Sequence, residues 1–87
     1  MVPPPVERVQ TGFRMEKRIV KVIKALAEQL DMTPGDLIEG MALHCFEGKA
    51  PFSKRTLRKI AQLKAVYDLD LTAADSHGLR ENGEPKR

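Results

Sequence analysis

The chain has 87 residues, 41% of them hydrophobic and 31% charged, with a formal net charge of +3. A chain this short buries only about 60–65% of its unfolded surface, so one small domain is the ceiling and a two-domain cofactor enzyme is excluded. Aromatic residues are 5% with no Trp, so any core is thin and built from Leu, Ile, Val, Met and Ala, and small domains of this kind gain stability by oligomerising. The single cysteine, Cys45, cannot form an intrachain disulfide and points to a reducing compartment. The start of the chain lacks the apolar core of a signal peptide, and no apolar run approaches the ~18 residues of a membrane-spanning helix. The expectation is a soluble cytoplasmic protein with no membrane partner.

Pro3, Pro4 and Pro5 cannot nucleate a helix, so residues 1–7 read as a flexible amino-terminal arm. From Arg8 to Met15 the sequence alternates. Val9, Thr11, Phe13 and Met15 fall on one side, and Arg8, Gln10, Gly12 and Arg14 on the other, which is the pattern of a half-exposed strand. No second strand signal follows it. A lone strand leaves its backbone donors and acceptors unpaired, so the pattern predicts that a second copy of the chain supplies the partner.

The period changes at Glu16. Ile19, Val22, Ile23, Leu26, Ala27 and Leu30 predict an amphipathic helix that ends near Asp31. Thr33-Pro34-Gly35-Asp36 then forms a capping signal, with Thr33 as cap, Pro34 at the first helical position and Asp36 placed to reach back. Leu37, Ile38, Met41, Ala42, Cys45 and Phe46 make the apolar face of this second helix, which Gly48 and Pro51 stop. Gly40 inside it predicts close helix packing, and Cys45 is expected to be a buried structural thiol. Ser53 begins a third helix that runs to roughly Asp68, with Leu57, Ile60, Ala61, Leu63, Val66 and Tyr67 as a looser apolar stripe. Residues 80–87 read as a disordered polar tail.

Charge is distributed in blocks. Residues 1–30 carry Arg8, Arg14, Lys17, Arg18, Lys21 and Lys24 against three acids. Residues 31–48 carry Asp31, Asp36, Glu39 and Glu47 with no base, and residues 49–65 carry Lys49, Lys54, Arg55, Arg58, Lys59 and Lys64 with no acid. Two basic blocks flanking an acidic one suggest a polyanion-binding face, but charge alone favours solvated faces that pair with one another.

A strand, a helix, a short turn and a helix within about forty residues, with a strand that needs a second chain, resembles the ribbon-helix-helix family of Met and Arc type repressors. The residues that carry the likeness are Gln10-Thr11-Gly12-Phe13-Arg14-Met15, then Glu16-Lys17-Arg18-Ile19, then Asp31-Met32-Thr33-Pro34-Gly35-Asp36-Leu37-Ile38. The resemblance implies a mainly α fold with one short β-strand, an intertwined homodimer with a two-stranded antiparallel ribbon over residues 8–48, and an extra carboxyl-terminal helical extension over 49–79. It further implies a sequence-specific repressor whose ribbon enters the major groove of double-stranded DNA. Gln10, Gly12 and Arg14 would face base edges, where Arg pairs with guanine and Gln with adenine. Arg8, Lys17, Arg18, Thr33 and Gly35 would meet phosphates, the last two through the capped amino terminus of the second helix. Val9, Phe13, Met15, Ile19, Val22, Ile23, Leu26, Leu37, Ile38, Met41 and Cys45 would form the dimer core. Dimers could associate as tetramers on DNA.

Related proteins with this pattern include antitoxins, whose carboxyl half binds a toxin partner, and plasmid partition or copy-control proteins; both stand as alternatives. Enzymatic chemistry has no support. His44 and Cys45 are adjacent and lack the further ligands of a zinc site. Asp75-Ser76-His77 contains triad residue types without triad geometry. Neither a metal nor a cofactor is expected.

Overall fold

A computed structural model describes residues 2–80, so the tail expected from residue 80 lies, apart from Arg80, outside the described residues. Three α-helices of equal length follow one another: α1 (Lys17–Gln29), α2 (Pro34–Phe46) and α3 (Lys54–Val66), trailed by a single 3-10 turn, Ala73–Asp75. Each α-helix begins on a side-chain oxygen that accepts otherwise unpaired backbone N–H groups. The Glu16 carboxylate takes the N–H groups of Arg18 and Ile19 at 2.7 and 3.1 Å. Thr33 Oγ1 takes that of Asp36 at 3.1 Å, and Ser53 Oγ that of Thr56 at 3.2 Å.

The three helices also end alike. Asp31, Gly48 and Asp68 each turn into the left-handed region, at φ of 57°, 72° and 54°. The next residue's N–H then reaches back five residues: Met32 to Ala27 O, Lys49 to His44 O and Leu69 to Lys64 O. This is the Schellman closure. It suits glycine at Gly48, while Asp31 and Asp68 are among the few side chains that tolerate the conformation.

Helix α1 is the central element; α2 and α3 both pack on it and not on each other. The core consists of Val22, Leu26 and Ala27 from α1, Leu37 from α2 and Leu63 from α3, with Ile23, Leu30, Met41, Phe52, Ile60, Tyr67 and Leu69 half-buried around them. Helix α3 runs back along α1, because the end of one meets the start of the other. The Arg18 guanidinium bonds the Glu16 carboxylate at 2.8 Å, the Asp68 carbonyl at 3.0 Å and the Asp70 carboxylate at 3.0 Å. Lys21 Nζ stands 5.9 Å from the centre of the Tyr67 ring. After α3 the Asp75 carboxylate accepts the Thr72 N–H at 2.8 Å and closes the last turn.

The structure corrects the expected ribbon. Among the described residues there is no strand, and residues 8–15 are exposed and lack regular structure. The physical reason is the one that made the pattern demand a partner: a strand exists only when a second strand satisfies its N–H and C=O groups. None lies beside this segment, so the fold is three helices and not a ribbon followed by helices. Two further expectations change within the chain. Cys45 is exposed rather than buried. A Cβ added at Gly40 would meet nothing within 4 Å, so no neighbouring element approaches that glycine.

Leu26 is 3% exposed at the meeting of the helices, and Leu26→Ala should cost about 2–5 kcal/mol in a thermal or denaturant melt. Thr33→Ala, which removes only a cap, should cost about 1 kcal/mol. The hydrogen bond to Arg18, together with the backbone N–H groups of Ile19 and Arg18, holds the Glu16 carboxyl below the ordinary glutamate range. A depressed carboxyl contributes stability above its unfolded pKa and loses it as pH falls through the folded one. Thermal midpoints taken across the acidic range should therefore fall, and fall less in Glu16→Gln than in the parent chain.

Candidate nucleic-acid interface

The residues predicted to face base edges lie on the segment that precedes α1. Gln10, Gly12 and Arg14 are all exposed, as are their neighbours Val9 and Phe13, the latter at 79%. Alternation therefore does not separate a buried from an open side in this chain. The segment is tied to the helical body by an ion pair between the Arg8 guanidinium and the Glu39 carboxylate of α2. Both partners are open to solvent, so the tether adds little stability.

The predicted phosphate contacts divide into engaged and open groups. Arg8 is held by Glu39, and Arg18 is clasped by Glu16, Asp68 and Asp70. Lys17 is exposed on the outward side of α1, together with Lys21 and Lys24. At the start of α2, Thr33 and Gly35 are exposed, and Thr33 already spends a lone pair on the Asp36 N–H. A Cβ at Gly35 would come no closer than 3.9 Å to Thr33 Oγ1, an ordinary contact, so the local backbone does not itself require glycine. The positive end of the α2 dipole remains exposed there, with the carboxylate of Asp36 in the same turn.

Of the residues predicted to form the dimer core, Val22, Leu26 and Leu37 are buried within the single chain, and Ile19, Ile23 and Met41 are half-buried. Val9, Phe13, Met15, Ile38 and Cys45 are exposed. Helix α2 adds Leu43 at 62% and Phe46 at 83% exposure. An apolar surface thus runs along α2, and apolar side chains also stand open in the segment before α1.

The structure also displays a group that the sequence left ambiguous. Lys54, Arg55 and Arg58 stand exposed on α3, with Lys59 at the flank. Its signal was the acid-free run from Lys49 to Lys64; what sequence alone could not tell was whether acids from elsewhere would cover it. None does, since the described ion pairs involve Arg8, Arg18 and Lys49.

Other chemistry is thin. His44 Nδ1 lies 2.7 Å from the Gly40 carbonyl, a local contact within α2. Among the described residues no three His, Cys, Asp or Glu side chains gather as for a metal ion. An open groove on α3 is lined by Ala61, Lys64, Ala65, Asp68, Leu69 and Asp70 and encloses nothing. No helix among the described residues is long and apolar enough to cross a membrane. No protein-family model matches the chain, and neither the curated proteins nor the solved structures contain a significant match, so the likeness to ribbon-helix-helix repressors rests on residues 8–48 alone.

Proposed function

We propose that the chain is a homodimeric, DNA-binding transcriptional regulator, with double-stranded DNA and a second copy of itself as its partners. The observation that carries the reading is the sorting of charge by the fold. Five of the ten described acids make side-chain contacts within the chain: Glu16 in a cap and a pair with Arg18, Glu39 in the pair with Arg8, Glu47 in the pair with Lys49, Asp70 in the pair with Arg18 and Asp75 in the last turn. The lysines of α1 and the polar residues of 8–15 face outward. A chain of net charge +3 with those acids so engaged and the bases of α3 left open favours a polyanion.

In this reading Gln10 and Arg14 supply the side chains able to pair with base edges, and Lys17, Thr33 and Gly35 supply backbone contacts that set position without reading sequence. The second copy covers the apolar residues left open on α2 and around Phe13. One face of residues 54–66 packs on α1, and no described feature favours the antitoxin or partition alternatives over this one.

Selection of bound duplexes from a random pool tests the reading. It should recover a palindrome or direct repeat, as expected when a two-fold dimer meets two half-sites. On the recovered site Arg14→Ala should weaken binding by about 1–3 kcal/mol and relax one base preference. Recovery of no enriched sequence, with an Arg14→Ala affinity equal to the parent's, would contradict it.

A further inference from the structure

We propose that the outward face of α3 is a second, sequence-independent contact for the phosphate backbone of duplex DNA, a proposal that rests on the regulator reading above. Lys54, Arg55 and Arg58 are exposed, and none of them makes an ion pair. At about 100° per residue the three lie within one arc of roughly 100° on the helix. That arc points away from Leu63 and Ile60, the side chains α3 turns toward α1. From Lys54 to Arg58 the helix rises only about 6 Å. A duplex carries about one negative charge per 1.7 Å of its axis, so a charge density of this order has a natural counterpart there.

The arrangement works against the helix that carries it. Lys54 and Arg55 occupy the first turn of α3, which contains no acid. Cations at that end oppose the positive pole of the helix dipole, and they repel one another across adjacent turns. Neither cost is offset by a partner among the described residues. A polyanion outside the chain would offset both.

The identity of that polyanion follows from what surrounds the cations. Gln62 lies among them, a neutral hydrogen-bonding side chain of the kind that meets phosphate oxygens. No aromatic residue interleaves with them, so there is no stacking platform for single-stranded bases. A membrane surface calls for an apolar face that can insert beside the basic one, but Leu63, Ile60 and Tyr67 are packed against the core, and the exposed Leu57 and Val66, nine residues apart, stand on opposite sides of α3 and form no single face. The duplex backbone fits best.

The test compares the full-length chain with the triple variant K54Q/R55Q/R58Q by fluorescence anisotropy on one duplex at several salt concentrations. Removing one cation from a phosphate should reduce the salt slope by about 0.9, so the slope of a dimer that loses three cations from each chain should be shallower by about 5.4. Its affinity should fall at least tenfold, by a similar factor on selected and unrelated duplexes. The same variant should keep its helical circular dichroism and melt no lower than the parent, because the substitutions relieve like-charge and dipole repulsion; this separates weakened DNA binding from unfolding. An unchanged slope and affinity in a folded variant overturns the α3 proposal and leaves the regulator reading standing. A parent chain that binds no duplex at any salt overturns both. Tighter binding of the parent to phosphatidylserine-containing vesicles than to duplex overturns the assignment of the partner.

Discussion

Everything in this structure depends on one crowded surface, the inward side of α1. Val22, Leu26 and Ala27 receive Leu37 from one neighbour and Leu63 from the other, and those five side chains are the whole of the buried core among the described residues. Because the backbones of α2 and α3 each approach α1 and not each other, neither closes over the far side of its partner. The consequence is a body held together at one seam. Twelve large hydrophobic residues among those described stand exposed around it, including Phe13, Ile38, Leu43 and Phe46. Ile38, Leu43 and Phe46 share one helix, and apolar surface of that kind is what an interface between proteins would cover.

The helix ends explain why so short a chain holds a defined shape with so little core. Each α-helix is stopped at both ends by local chemistry, a side-chain cap in front and a left-handed residue behind, so segment boundaries do not rely on tertiary packing. The Arg18 clasp then fixes the end of α3 against the start of α1. The same economy separates charges. Glu16, Glu39, Asp70 and Asp75 are engaged in a cap, in ion pairs and in the last turn, while the lysines of α1 and Lys54, Arg55 and Arg58 of α3 stand exposed.

Much of this was readable in the residues. The 3.6-residue spacing from Ile19 to Leu30 marked α1, Thr33-Pro34 marked the start of α2, Ser53 marked that of α3, and Asp31 marked the left-handed stop of α1. These are local signals, settled by groups within a few residues of one another. The strand over residues 8–15 failed for the opposite reason: its alternation described what the segment would do beside a partner, and the backbone cannot take that form alone. Cys45 and Gly40 failed similarly, because periodicity identifies an apolar face without saying whether this chain covers it. The Arg18 clasp joins residues about fifty positions apart and leaves no periodic trace. The ion pair between Arg8 and Glu39 was invisible for the same reason.

The central claim is that the open surface of α2 and Phe13 is covered by a second copy of the chain. Sedimentation equilibrium over a range of micromolar concentrations tests it most directly, since a chain of 9.8 kDa should appear at about twice that mass and its thermal midpoint should rise with concentration as mass action requires. A single species at the monomer mass, melting at a temperature independent of concentration, would contradict the account.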